Sequence, residues 1–285
     1  MDGMGTRTSS KPLTSPSAPV GCDWGIEGVD VAAYLRRIGH RRVKPSVEAL
    51  ASLHRAHIAA VPFENVDVVL RRHRGIDLGT IQDKIIGQRR GGYCYEHALL
   101  FAAVAERLGF RVRRRIARTM PHRAGLKTHM MQIVTAEGTD FLVDVGFGAG
   151  VWQPMPLVDG VEVDQAGWMM RLTREDDLWL LSKRVGEEWT LLHQFDDVPT
   201  RPVDYEVAHH YCSTHPRSPF VNQIVVMRLA EGVSRRLVGH EYTVEHADGR
   251  VETTPVDESN LGDLLRSLDV DPHPADVKRL VRYFG

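Results

Sequence analysis

Gly91-Gly92-Tyr93-Cys94-Tyr95-Glu96-His97, running into the apolar, alanine-rich Ala98–Leu108 and stopped by Gly109, is the stretch on which the fold turns. The two glycines permit a tight turn with close backbone approach. The apolar residues after them have helical spacing, so a helix begins at or just before Cys94. Past Gly109 the period changes from helical to alternating, and polar turns start to recur. The spacing predicts strands over 111–118, 127–134, 141–146, 168–173, 178–184 and 188–195, forming an antiparallel sheet or small barrel. The chain is read as α+β, with helices first and a barrel after.

Upstream, helical spacing covers 29–39 and 46–60, with Asp30 and Ser46 as caps, and a further helix covers 79–88. Pro62-Phe63-Glu64-Asn65 reads as a turn into the short apolar run Val66–Leu70. Downstream, a helix is expected over 204–213, stopped by His215-Pro216 and Ser218-Pro219. A small α/β unit follows: strands at 221–230 and 235–245, a hairpin through Asp248-Gly249 to 250–254, then helices at 258–269 and 274–284. Five segments result. They are a disordered tail over 1–21, a helical domain over 22–109, a β-barrel domain over 110–203, an inter-domain helix and linker over 204–220, and an α/β lid over 221–285.

Composition narrows the function classes. The 285 residues are 42% hydrophobic and 26% charged, which suits a soluble globular protein. Lys+Arg 36 against Asp+Glu 37 leaves a net charge of -1, so nothing in the overall charge invites nucleic acid or an anionic membrane. The N-terminus lacks the apolar stretch of a secretory signal, and a cytoplasmic location is expected. Cys22, Cys94 and Cys212 fit neither a disulfide framework nor a paired zinc motif, so reduced thiols and no metal are expected.

Most lone cysteines are small buried hydrophobes, but Cys94 stands at a helix N-terminus with Arg89 and Arg90 just upstream. Free amides and the helix dipole favour a thiolate there, which is how a cysteine becomes a nucleophile at neutral pH. A nucleophile needs a base, and 14 histidines are too many to choose among by counting. Strand parity chooses better. If Glu137-Gly138 is a two-residue hairpin turn, the ladder sets Met131 opposite Asp144 and His129 opposite Gly146. His129 and Asp144 then share a sheet face as diagonal neighbours, about 7–8 Å apart along the backbones, a gap their side chains can close. The carboxylate would orient the imidazole, and the imidazole would hold the proton of Cys94. Gly146-Phe147-Gly148-Ala149-Gly150 lacks the third glycine of a dinucleotide fingerprint at the right offset, and the prolines at 154 and 156 forbid the helix that should follow.

Five segments together, Pro62-Phe63-Glu64-Asn65, Arg90 to Glu96, Thr128-His129, Val143 to Gly148 and Ser213 to Phe220, resemble the arylamine N-acetyltransferases in order and spacing from about residue 27 onward. The resemblance implies a papain-like triad of Cys94, His129 and Asp144. It implies a ping-pong cycle in which acetyl-CoA acetylates Cys94 and an arylamine, arylhydrazine or N-hydroxyarylamine takes the acetyl group. It implies CoA contacts at Thr128, Gly146, Phe147, Gly148 and Phe220, a slot for the small aromatic amine at Phe63, Tyr95, Phe147 and Phe220, and a bracing ion pair of Glu64 with Arg90. An amide synthase of the same fold, a papain-like cysteine hydrolase and a binding module on an inactive scaffold are the competing readings. The arginines between 107 and 123, with no acid among them, read as a solvated strand face.

Overall fold

Each of the first two helices begins on a side chain that satisfies one of its free amides. In the computed structural model, which describes residues 23–148 and 150–282, α1 (Val31–Arg37) starts where Asp30 Oδ1 accepts from the Ala33 amide at 2.9 Å. Helix α2 (Val47–Ala60) starts where Ser46 Oγ accepts from Ala49 at 3.1 Å. The expected tail over 1–21, Cys22, Ala149 and the last residues of the expected helix over 274–284 lie outside the described residues.

The turn after α2 holds more structure than its sequence suggested. Phe63–Glu64 is a short strand, β1, and Val66–Val69 is one helical turn, α3. Helix α4 (Leu78–Gln82) passes into a π-helical turn over Asp83–Gly87, which together account for the helix expected at 79–88. Helix α5 (Cys94–Leu108) is buried on nearly every face, as an apolar helix with no polar stripe must be. It ends at Gly109 with φ 101°, a left-handed C-cap that favours glycine.

Among the described residues eight strands follow: β2 (Arg111–Thr119), β3 (Lys127–Ala136), β4 (Thr139–Val143), β5 (Met155–Pro156), β6 (Val161–Gln165), β7 (Trp168–Glu175), β8 (Leu178–Val185) and β9 (Glu188–Phe195). They pair antiparallel in the order β5-β4-β3-β2-β9-β8-β7-β6, a nearly closed barrel. The β3–β4 hairpin turns on Glu137-Gly138, both with positive φ, and its ladder sets Gln132 against Val143 and Ile133 against Leu142. That is the register the parity argument required. Strand β4 is shorter than expected, however. It ends at Val143 because Asp144 turns its Oδ1 back onto the Gly146 amide at 3.3 Å. Strands β5 and β6 were not anticipated: one has two residues and ends in proline, and the other interleaves acids among its valines.

Helix α6 (Pro202–Thr214) leads to α7 (Pro219–Asn222) and then to β10 (Val225–Ala230), β11 (Val233–Val238), β12 (Glu241–His246), β13 (Val251–Pro255), α8 (Leu261–Ser267) and α9 (Pro274–Val281). The strand expected over 221–230 starts four residues late, because Pro219 opens a helical turn. The strand expected over 235–245 is two strands folded at Gly239, whose φ is 57°. Strand β1 joins this second sheet, order β1-β10-β11-β12-β13, with Phe63 opposite Met227. Val66, Val69 and Leu70 pack beneath it with Ile224, Val226, Leu261 and Leu265, so the residues ahead of Cys94 are anchored to the C-terminal sheet. Among the described residues no helix is long and apolar enough to cross a membrane.

Candidate active site

The turn that presents Cys94 is built around two glycines with no room for a side chain. A Cβ on Gly91 would lie 2.1 Å from the Pro62 carbonyl oxygen, and one on Gly92 would lie 2.7 Å from Glu96 Cβ. Glu96 caps the helix by accepting from the Tyr93 amide at 3.0 Å. Lys84 Nζ holds Glu96 at 2.9 Å and also meets Asp67 at 3.2 Å and Glu64 at 3.7 Å. Burial pushes the Glu96 carboxyl up, but Lys84 and His73 outweigh it and lower it to about 2. The anticipated Glu64–Arg90 pair is present at 2.7 Å, within a larger network in which Arg90 also grips Asp67 at 2.8 Å.

On the opposite side, buried histidines tie up the carbonyls of the same turn. His97 Nε2 lies 2.9 Å from the Gly92 oxygen and 3.2 Å from that of Pro62. A carbonyl only accepts, so Nε2 carries the hydrogen and Nδ1 accepts from His57 Nε2 at 2.7 Å. By the same logic the Tyr34 hydroxyl donates to His57 Nδ1 at 2.7 Å. Burial lowers His97 to about 4 and lowers His57 as well, which keeps both rings neutral. Both histidines of α2, His54 and His57, are wholly buried, His54 with Nδ1 3.1 Å from the Trp152 carbonyl oxygen.

Cys94 is the first residue of α5 and is 4% exposed. The backbone amides of Met130, on the barrel strand β3, and of Tyr95 favour the ionised form of its sulfur. Burial pushes the thiol well above its ordinary value, and the nearby Cys212 and Asp144 add to this while the two amides oppose it. The helix terminus is expected to favour a thiolate, and desolvation of the buried sulfur opposes that as the largest influence on it. Ionisation here needs a base to receive the proton.

His129 lies on the barrel strand β3. Ala117 pairs with His129 but Arg118 pairs with Lys127, so Thr128 bulges out of β3. A bulge re-aims the side chain beside it. His129 Nε2 meets Asp144 Oδ2 at 2.7 Å, and Nδ1 has no hydrogen-bond partner among the described residues. Burial pushes Asp144 up, but His129 and then His193 outweigh it and hold the carboxyl well below the usual carboxylate range. Gly146 then packs on Cys94: a Cβ there would be 2.9 Å from Cys94 Cα. The loop carrying Asp144 thus rests directly on the helix carrying Cys94.

The other anticipated residues gather around this junction. The Thr128 carbonyl accepts from the Tyr95 hydroxyl at 2.5 Å, and Tyr95 is wholly buried, linking helix to barrel. Phe147 is half-buried, its ring edge-on to His129 at 5.1 Å. Gly148, φ 78°, lies against Met227, whose sulfur a Cβ would approach to 2.6 Å. Phe63 is buried and stacked on His97 at 6.1 Å, and Phe220 is half-buried, 6.3 Å from Phe63 and 5.7 Å from Tyr93.

Sequence reasoning missed His193, which β9 brings to 3.4 Å from Asp144 Oδ2. It stands two residues before the buried Phe195, and strand alternation would have turned it inward with that ring. The arginine stretch is also not a solvated face. Arg114 and Arg115 are buried, Arg114 paired with Glu106 at 2.6 Å and lying 4.2 Å above Trp24, and Arg115 paired with Asp197. Among the described residues, one group of three has ligand atoms close enough to hold a metal ion: His129, Asp144 and His193, within 4.8 Å of one another.

An N-acetyltransferase family model matches residues 46–269. An arylamine N-acetyltransferase of Mycolicibacterium smegmatis is 36% identical over 238 residues, which is 79% of this chain and 85% of the relative. The crystal structure of the Nocardia farcinica arylamine N-acetyltransferase superposes with a TM-score of 0.87 at 32% identity, covering 94% of this chain and 99% of that one. The Mycobacterium marinum arylamine N-acetyltransferase in complex with CoA gives a TM-score of 0.82 at 31% identity, covering 90% and 98%.

Proposed function

The chain belongs to the arylamine N-acetyltransferase family, and from that premise we propose that Cys94 is its acetyl carrier, His129 the base and Asp144 the group that orients and balances the base. The protein is an acetyl-CoA-dependent transferase that acetylates arylamine nitrogen. The observation that carries the assignment of residues is the 2.7 Å bond from His129 Nε2 to Asp144 Oδ2 on a loop packed against Cys94. It leaves Nδ1 as the nitrogen available to the thiol.

In the first half-reaction the Cys94 proton passes to His129 Nδ1, and the sulfur attacks the thioester carbonyl of acetyl-CoA. The carbonyl carbon parts from the CoA sulfur, His129 returns the proton to the departing thiolate, and acetyl-Cys94 remains. In the second half-reaction the amine attacks that thioester, gives a proton to His129, and expels Cys94. Asp144 stays ionised throughout and offsets the imidazolium charge at each stage. The backbone N–H groups of Tyr95 and Met130, which favour the ionised sulfur, are the donors assigned to the negative oxygen of either tetrahedral intermediate.

The M. marinum relative binds CoA, and we carry that ligand to the rim formed by Thr128, Gly146, Phe147, Gly148 and Phe220. The amine is assigned to the aromatic surface of Phe63, Tyr95, Phe147 and Phe220, where the half-buried Phe147 and Phe220 offer the open ring faces and the buried Phe63 and Tyr95 back them. Two free cysteines among the described residues, Cys94 and Cys212, suit a reducing cytoplasm. Intact-protein mass spectrometry after acetyl-CoA, with no amine added, should show one acetyl group that disappears when aniline or a hydrazine is supplied. Cys94→Ala should show none; an adduct that persists in that variant would sink the assignment.

A further inference from the structure

The feature that the reaction as described leaves unused is a second imidazole on Asp144. His193 has no exposed surface, and neither ring nitrogen has a hydrogen-bond partner of good geometry. Its Nε2 nevertheless lies 3.4 Å from Asp144 Oδ2, the same oxygen that His129 engages at 2.7 Å. The ring is packed edge-on to Phe147 at 5.2 Å and lies 5.6 Å from the His129 ring and 6.0 Å from that of Phe195. A fully buried imidazole with open polar atoms is costly to keep, and an apolar side chain of similar size would fill the same space without that cost.

Backbone geometry gives an independent sign that this ring is placed. Leu181 pairs with His193 whereas Ser182 pairs with Leu191, so Leu192 bulges out of β9. Thr128 does the same in β3. The barrel has one bulge immediately before each of the two histidines that meet Asp144, and bulges beside a site serve to redirect a side chain. A metal ion is a poorer account of the cluster. Zinc–ligand bonds of about 2.0–2.2 Å set tetrahedral ligands about 3.3 Å apart, and the 2.7 Å contact of His129 with Asp144 leaves no room between them.

We propose that His193 is a positioning residue for acetyl transfer: its Nε2–H stands beside Asp144 Oδ2 as a second donor and holds the carboxylate in the plane from which it directs His129 Nδ1 toward Cys94. The proposal rests on the roles assigned above to Cys94, His129 and Asp144. Those roles stand or fall on Cys94→Ala and Asp144→Asn alone, so the two readings fail separately.

The test is the CoA burst on mixing enzyme with acetyl-CoA in stopped flow, with no amine present. His193→Phe keeps the ring volume and removes the donor, and acetylation of Cys94 should slow by about tenfold. His193→Gln places an amide N–H near the Nε2 position, and should return the rate to within about threefold of the parent. In an Asp144→Asn background, His193→Phe should add no further loss, because its effect passes through the carboxylate. Should His193→Phe not fold, His193→Leu carries the same comparison. A parental burst in the donor-free variant would overturn the proposal. So would an equal loss in the presence and absence of Asp144, because that is the signature of packing alone.

Discussion

Two buried histidine systems flank Cys94, and they differ in how fully their nitrogens are occupied. On one side Tyr34, His57 and His97 form a one-way chain in which every ring nitrogen has a partner and the last one holds the carbonyls of Gly92 and Pro62 beside the Cys94 turn. On the other side His129 Nδ1 has no partner among the described residues, and His193 meets Asp144 only loosely. In the first system no proton can move without breaking a bond that supports the backbone. In the second an idle nitrogen beside a buried carboxylate can take up a proton and return it. What separates these two systems is hydrogen-bond completeness, since both are buried.

The sharpest way to break this contrast is Asp144→Asn. Asparagine keeps the volume but cannot balance an imidazolium, and the corresponding change in a serine-protease triad costs about ten-thousandfold. Cys94 acetylation should fall by about three to four orders of magnitude on that scale, while the melting temperature changes little. A normal CoA burst with impaired amine transfer would move Asp144 to the acceptor site and end the triad assignment.

His97→Phe should do the reverse. It strips a donor from two buried carbonyls and should cost about 2–4 kcal/mol in urea unfolding, with the burst per folded molecule reduced far less than in Asp144→Asn. The same variant has a pH signature. His97 is lowered to about 4 in the folded chain, against about 6.5 when unfolded. Between those values the unfolded state binds a proton that the folded state refuses, so stability rises with pH there and is lost on acidification, by up to about 1.4 kcal/mol per pH unit for one such histidine. His97→Phe should flatten the slope of urea midpoint against pH between 4 and 6.5; an unchanged slope would mean that His97 is not held neutral.

The smallest effect belongs to Tyr34→Phe, at the far end of the chain. It removes one hydroxyl from His57 Nδ1 and should cost about 1 kcal/mol, with no change in acetylation rate. A larger loss of activity than of stability would show that the chain takes part in the chemistry.

Much of the catalytic side was legible because strand parity is strict. A two-residue turn at Glu137-Gly138 leaves one register, and that register sets His129 and Asp144 on one face. The glycines at 91 and 92 and the helix at Cys94 were equally plain. His193 was not, because it reaches Asp144 from a strand nearly fifty residues further along, through the curvature of a barrel whose closure no local pattern encodes. Lys84 and Asp67 were hidden for a similar reason: alone each reads as a surface charge, and only the tertiary meeting of α3 and of the π-helical turn after α4 with the start of α5 joins them to Glu96 and Arg90. Burial of Cys94 opposes the local argument from the helix terminus, since the dipole effect is readable in sequence and the depth of the sulfur is not.

Gly146 has a consequence for how the site is assembled. Cys94 belongs to a helix and His129 to a barrel, and the two elements meet through a contact that admits only a hydrogen atom on the Gly146 side. Cys94 is thus enclosed and set against the loop of Asp144 in one tertiary event, and neither the helix nor the barrel holds that arrangement by itself.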